Sequence, residues 1–350
     1  MGAGAMTGWV QTVRGRVRSD ALGVTLMHEH LLLDLRAVFV EPEDPAERAL
    51  ARAPLALDNL SFVSKHFWAN LDNLLLSDPR LAAREAGLFR DAGGGTLVDV
   101  TSIGLSRDAP ALRAISERTG LHVVMGTGWY HALFHPADMD ARGEDALCAE
   151  MVREIEQGVD GTDIRAGIIG EVGCSWPLRP NERKVLRATA RAQRLTGAPV
   201  TIHPGLHVDS PFEILDILEE AGADLARVVM GHMERTGLER PRLLDLLRRG
   251  CCVEYDWFGE VRPTWPYGRI DVPSDGERIK AIMFLIAEGF GDRVVVSQDV
   301  CFKMRLASYG GPGYAHILRY VRPWMLAMGM RDAEIDDLLI DNPRRILAFA

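Results

Sequence analysis

Two histidines one residue apart interrupt an apolar run near the start of the chain, in "VTLMHEH" (24–30), where His28 and His30 flank Glu29. Strand alternation puts residues i and i+2 on one face, so the two imidazoles point together and Glu29 points away. Similar interruptions recur downstream, with Glu171 in "AGIIGEVG" (166–173), His203 in "PVTIHPG" (199–205), His232 in "RVVMGHM" (227–233) and Asp299 in "RVVVSQD" (293–299). Imidazole nitrogen and carboxylate oxygen together suit Zn²⁺ and similar divalent ions. Six such ligands are too many for one tetrahedral ion and match two ions that share a bridging carboxylate and a water. Unpaired ionisable groups in an apolar interior are costly, and two cations offset that cost.

The elements that must bring these residues together are legible as a repeat. Three further apolar runs, "TLVDVT" (96–101), "HVVMGTGWY" (122–130) and "CCVEYDW" (251–257), complete a set of eight. Near-continuous apolar runs imply strands buried on both faces, as in a parallel sheet. Helical stretches separate them. "NERKVLRATARAQRLTG" (181–197) ends on Gly197, "SPFEILDILEEAG" (210–222) opens on a serine cap followed by proline, and "PRLLDLLRRG" (241–250) repeats the design in brief. Eight strand–helix units argue for an α/β fold closed into a (β/α)₈ TIM barrel, read as a single domain over residues 1–350. "GGG" at 93–95 precedes a strand, so no dinucleotide fingerprint competes. Insertions at about 34–80 and 259–275 both follow strands and are expected to cover the C-terminal face, where barrel active sites lie. "WVQTVRGRV" (9–17) reads as a hairpin plugging the opposite end.

Composition narrows the class. A net charge of −9 over 350 residues gives no nucleic-acid footprint, and no apolar run is long enough to span a membrane. "MGAGAMTGWV" lacks the basic and apolar regions of a signal peptide. The five cysteines (Cys148, Cys174, Cys251, Cys252 and Cys301) lack CxxC spacing, which points to a reduced, cytoplasmic setting. Cys174 and Cys301 are read as packed neutral thiols despite lying close to ligands. Asp34, Asp99 and Glu254 are carboxylates that either orient ligands or serve structure. His66, His122 and His207 are read as ordinary residues, and His131, His135 and His316 as loop residues near the site. No G-x-S-x-G elbow is present, so a serine nucleophile is not indicated.

Taken together, "TLMHEHLLLDL", "DAGGGTLVDVTSIGLSRD", "RAGIIGEVGCS", "PVTIHPG", "VVMGHMERT", "VVVSQDVC" and "IDNPRRILAF" resemble the phosphotriesterase-related branch of the amidohydrolase superfamily over roughly residues 9–349. The resemblance implies a distorted (β/α)₈ TIM barrel of the metal-dependent hydrolase type, with a binuclear centre in which His28, His30 and Asp299 hold the more buried ion and His203 and His232 the more exposed one. Phosphotriesterases proper bridge the ions with a carboxylated lysine. Here "IIGEVG" has no lysine, and Glu171 stands where the Glu-bridged relatives place their bridging carboxylate. Trp257 stands where the lactonases of the family carry an arginine, while the family's tyrosine is matched by Tyr130. The segment at 303–318 most resembles the branch of the vertebrate phosphotriesterase-related and resiniferatoxin-binding proteins, which implies hydrolysis of amides such as N-acyl taurines.

The implied enzyme is a metal-dependent hydrolase of an amide or ester. Zinc is its first-choice metal, with manganese, cobalt or iron as alternatives. Two ions activate a shared water, Asp299 passes its proton to the leaving group, and Tyr130 orients the substrate or donates to the developing oxyanion. Lactone or phosphotriester hydrolysis is the alternative, and a non-catalytic small-molecule-binding barrel a second. Lys303 and Arg305 are candidates to recognise an anionic substrate group, or else to anchor a loop through ion pairs. Trp257, Phe258, Trp265 and Tyr267 either wall an apolar pocket or pack within the seventh loop. The expected partners are a small-molecule substrate and a second copy of the chain, with no nucleic acid and no membrane.

Overall fold

The computed structural model describes residues 8–236, 239–260, 262, 264–265 and 270–349. Eight parallel strands follow one another around a barrel in chain order. They are β1 (Val24–Glu29), β2 (Gly94–Asp99), β3 (His122–Thr127), β4 (Ile168–Gly173), β5 (Val200–His203), β6 (Val228–Met230), β7 (Cys252–Tyr255) and β8 (Val294–Val296). Each coincides with one of the apolar runs. Across the seam between β8 and β1, the Ser297 hydroxyl accepts from the His28 N–H at 3.0 Å and lies 2.8 Å from the His28 carbonyl. The Asp299 N–H donates to that same carbonyl at 3.2 Å.

The helices between strands are α1 (Pro79–Asp91), α2 (Ala109–Thr119), α3 (Glu144–Glu156), α4 (Pro180–Thr196), α5 (Ser210–Glu220), α6 (Arg240–Arg248) and α7 (Asp275–Ala287). Their ends obey local chemistry. The Asp78 and Asp108 side chains accept N–H groups of the first turns of α1 and α2 at 2.8 and 3.0 Å. Gly197 ends α4 in the left-handed region at φ +70°, where a side chain is disfavoured. Helical segments between Ile317 and Leu347 follow β8. Among the described residues, no helix is long and apolar enough to cross a membrane.

A compact apolar cluster takes Met27, Val98, Val124, Ile168, Val229, Cys252 and Val295 from seven of the strands. Residues from strands on opposite sides of a ring can meet only inside it, so this cluster is the filling of the barrel. Val10 joins it from the hairpin formed by Trp9–Thr12 and Gly15–Arg18. That hairpin packs where strands begin: Val13 N–H donates to Val123 at 2.9 Å, and a Cβ on Gly167 would meet the Gln11 carbonyl oxygen at 2.2 Å.

At the opposite end, residues 34–80 fold back over the barrel. Leu33–Asp34 pairs antiparallel with Leu75–Leu76, and short helices span Pro45–Arg52 and Leu60–Lys65. The 259–275 stretch contains a two-residue antiparallel pairing of Thr264–Trp265 with Ile270–Asp271. Residues 261, 263 and 266–269, Tyr267 among them, and the Trp265 side chain lie outside the described residues.

Candidate metal centre

Strict alternation would not deliver all the ligands to one place. Ile168 belongs to the barrel filling, so an unbroken β4 would turn Glu171 outward; Met27 poses the same problem for His28. The ladder resolves both. Between Leu26 and Glu29 on β1, three residues run against two on β2, and between Ile169 and Val172 on β4, three run against two on β5. One extra residue is a bulge, which re-aims the side chain beside it. Two further ligands depend on left-handed backbone, His232 at φ +55° and Asp299 at φ +48°. Such conformations cost about 1–3 kcal/mol each in a residue with a side chain, and persist where surroundings hold them.

The groups that hold them are visible. Asp256 accepts both the His232 N–H at 2.8 Å and its ring Nδ1–H at 2.7 Å. Glu29 faces away from the cluster, and its carboxylate accepts from Ser297 Oγ at 2.8 Å, Gln298 N–H at 2.9 Å and Val300 N–H at 3.0 Å. It thereby clamps the turn that carries Asp299. Glu29→Gln leaves part of this donor set unmatched, and hydrogen bonds to a charged group contribute about 2 kcal/mol. A loss of about that size is expected in urea unfolding at equal metal loading; an unchanged midpoint would show that the clamp is dispensable.

Glu171 lies at the centre of the cluster. Its Oε1 is 3.3 Å from His30 Nε2; its Oε2 is 2.9 Å from His203 Nδ1, 3.4 Å from His28 Nε2 and 3.5 Å from His232 Nε2. Asp299 Oδ1 is 3.5 Å from His30 Nε2 and 3.9 Å from His28 Nε2. Ligand atoms standing about 2.1 Å from a shared tetrahedral ion are about 3.4 Å apart, which is the spacing seen here. His28, His30 and Asp299 form one group able to hold an ion, and His28, Glu171 and His232 another. A third, His28 with Glu254 and Asp256, sets two carboxylates 3.6 Å from the Nδ1 side of the same ring.

The residues fit two cations on independent grounds. Among the described residues, both ring nitrogens of His28 are buried without a hydrogen-bond partner, an arrangement that native interiors avoid. His30 Nδ1 is 2.9 Å from Thr101 Oγ1, whose proton goes to the Leu32 carbonyl at 3.2 Å. That assigns the His30 proton to Nδ1 and leaves the Nε2 lone pair aimed at the cluster. Burial pushes His28 down, yet Glu171 lifts it well above its ordinary value, so the site attracts positive charge. Burial likewise pushes Glu171 up, and the His28 and His203 rings hold its carboxyl well below the usual range.

Above the cluster opens a cavity of about 670 Å³. Its floor includes His30, Glu171, His203, His232 and Asp299, and its apolar wall includes Leu33 together with Leu35, Val38, Val40 and Trp68 from the 34–80 insertion. Tyr130 lines it with its hydroxyl 3.1 Å from His203 Nδ1. Burial and the Glu171 charge push this phenol well up, so it keeps its proton. Cys174 and Cys301 are also in the wall; burial raises both far above the ordinary thiol range, which keeps them neutral. His131 lines the cavity, His135 Nε2 holds the Tyr130 carbonyl at 2.8 Å, and His316 pairs with Asp275 at 2.8 Å outside it.

The phosphotriesterase family model matches residues 8–347 of this chain. The chain belongs to the phosphotriesterase family. It is similar to the N-acetyltaurine hydrolase of Xenopus tropicalis, with 42% identity over 348 residues and 99% of each chain covered. Among solved structures, it resembles a resiniferatoxin-binding protein from Rhodobacter sphaeroides with a TM-score of 0.94 and 39% identity, covering 97% of this chain and 95% of that one. The phosphotriesterase homology protein of Escherichia coli, complexed with phosphate in its active site, superposes with a TM-score of 0.77 and 28% identity, covering 94% and 99%. This member of the family is a metal-dependent hydrolase whose buried His/Glu/Asp cluster suits a binuclear centre.

Of the two roles open to Lys303 and Arg305, the structure displays loop anchoring through ion pairs and not contact with the cavity. Lys303 pairs with Asp72 of the insertion, and Arg305 donates to Glu260 at 2.7 Å and to the Gln298 carbonyl at 2.7 Å. Neither lines the cavity. Both tie loops together, Lys303 to the 34–80 insertion and Arg305 to Glu260 and to the turn that carries Asp299. Trp257 does line the cavity, whereas Phe258 is fully buried beside Arg278. None of the described residues of 259–275 contributes to the wall, in contrast to 34–80. Of the outer carboxylates, Asp99 accepts the Leu31 N–H at 2.7 Å, and Asp34 pairs with Arg36 at 2.6 Å on the surface. Sequence reasoning missed Asp256 and Arg235. The first had a signal, since Glu254 on β7 and Asp256 just past its end repeat the i, i+2 spacing of His28 and His30.

Proposed function

We propose that this chain hydrolyses the amide bond of N-acyl amino acids of the sulfonic or carboxylic type, using two divalent ions with zinc first among them. The observation that carries the reading is the full-length match to N-acetyltaurine hydrolases. His28, His30 and Asp299 would hold one ion, His203 and His232 the other, with Glu171 between them. When bound, the two ions would polarise the scissile carbonyl and lower the pKa of a water between them.

The chain's own residues account for the remaining steps. Asp299 is the ligand carboxylate with the more exposed side chain, 12% against 3% for Glu171. It can take a proton from the attacking water at the cavity floor and release it to the departing nitrogen. A carbon–oxygen bond forms, the carbon–nitrogen bond breaks, and the amine leaves with the proton that Asp299 carried. An amine leaving group requires that proton more than a stabilised alkoxide does, which favours amides over activated esters. Tyr130, protonated and beside His203, can donate to the oxyanion as it develops. The apolar wall from the insertion receives the acyl part and excludes water.

Purified protein loaded with zinc is expected to turn over N-acetyltaurine with kcat/KM at least about 10²-fold above that for a simple lactone or a phosphotriester, the scale of discrimination that placed polar contacts supply. Steady-state rates on the three compounds check this. Phosphotriester turnover exceeding amide turnover would overturn the reading.

A further inference from the structure

Four arginines are buried among the described residues: Arg235, Arg262, Arg278 and Arg305. Three of them meet carboxylates, Arg262 and Arg305 at Glu260, and Arg278 at Glu234 and Asp275. Arg235 does not. Its side chain makes one hydrogen bond, from Nη2 to the Pro204 carbonyl at 2.6 Å, and its buried Nε has no partner. It is 7% exposed and lines the cavity with His203, Pro204, His232 and Trp257. A guanidinium cannot shed its proton to escape this cost, and it presents a planar fork suited to oxyanions. Arg235 stands in the cavity beside His203 and His232, which would themselves hold a cation, and among the described residues no carboxylate pairs with it. Burying a further unpaired cation there is unfavourable unless an anion arrives to meet it. The part of the wall made by Leu33, Leu35 and Val38 is apolar and offers an anion nothing.

We infer that Arg235 is the specificity-determining residue that recognises the oxyanion end of the substrate, a sulfonate or carboxylate carried on the amine side of the scissile amide. The inference rests on the proposed amide hydrolysis for the word substrate, while the anion site itself rests on the unpaired guanidinium alone. Arg235 sits three residues beyond His232 on the 3₁₀ turn Met233–Arg235, so the residue that reads the anion is fixed to the same backbone as a ligand. The same cavity thus offers one substrate the ligand cluster for its scissile carbonyl, an apolar wall for its acyl group and Arg235 for its anion.

Two measurements separate this from the broader reading. The first is selectivity, the ratio of kcat/KM for N-acetyltaurine to that for the neutral N-acetylethanolamine, with N-acetyl-β-alanine as the carboxylate arm. Arg235→Met is expected to lower both anion-to-neutral ratios about 10–100-fold, and Arg235→Lys to restore part of the loss by charge without the fork. A larger fall for one arm tells sulfonate from carboxylate. If Arg235→Met slows anionic and neutral amides equally, Arg235 only supports the Pro204 turn and the inference is overturned. The second is calorimetric binding of butane-1-sulfonate, which cannot be hydrolysed, to the metal-loaded protein. Its Kd should weaken about 10–100-fold in Arg235→Met; an equal Kd also overturns the inference. Should the wild-type protein hydrolyse none of the amides, the proposed function fails and the sulfonate Kd still decides the role of Arg235.

Discussion

Asp299→Asn is expected to lower kcat about 10²–10⁴-fold, the range by which a positioned acid–base group contributes. The substitution is unusually clean. Asn is among the few residues that tolerate the left-handed region, so the φ of +48° at this position is retained. The amide keeps the carboxylate's shape and one oxygen for the cluster, and the Glu29 clamp on the flanking N–H groups is untouched. What disappears is the ability to take a proton from water and hand it to an amine. The comparison is of kcat per metal-loaded chain, because Asp299 also stands 3.5 Å from His30 Nε2 and contributes to holding an ion. The effect should be steeper on an amide than on an aryl ester, whose leaving group departs unprotonated. Full turnover in Asp299→Asn at two ions per chain would remove the proton-carrying role.

The barrel and its ligands are legible in the sequence for one physical reason. Strands buried on both faces read as continuous apolar runs, so an ionisable residue at the end of a run is conspicuous. His28, His30, Glu171, His203, His232 and Asp299 each break such a run, and the structure brings them together. The mechanism that aims two of them is not legible. Alternation alone would misdirect Glu171, and the bulges on β1 and β4 show only once partner strands are in register.

Residues whose role depends on tertiary partners escaped for the same reason. Lys303 and Arg305 lie near Asp299 in sequence, yet their partners Asp72 and Glu260 come from other loops. Arg235 carries no periodic signal, and what sets it apart from the other buried arginines is the missing carboxylate. Glu29 was legible as facing away from the cluster; the Ser297–Val300 turn that it clamps becomes visible only when the barrel closes. The two long insertions looked alike as sequence, and only 34–80 contributes to the described cavity wall.

Glu171→Gln should produce the second large effect, of a different kind. Glu171 uses both oxygens, Oε1 toward His30 at 3.3 Å and Oε2 toward His203 at 2.9 Å, so its carboxylate spans the two halves of the cluster. Glutamine keeps the length and one oxygen, but turns an N–H₂ donor toward imidazole nitrogens whose lone pairs are needed for a metal. It also removes the negative charge that draws a cation to His28. Metal content is expected to fall from about two ions per chain to one or none, and kcat/KM about 10³-fold or more, since a catalytic ion contributes several kcal/mol of transition-state stabilisation. Asp299→Asn should therefore lose rate at nearly full metal occupancy, while Glu171→Gln should lose occupancy first and rate with it. Adding excess zinc separates them further, by recovering part of the Glu171→Gln activity and none of the Asp299→Asn activity. Two tightly held ions and undiminished turnover in Glu171→Gln would mean that the histidines and Asp299 alone hold the pair, and that Glu171 is not the bridge.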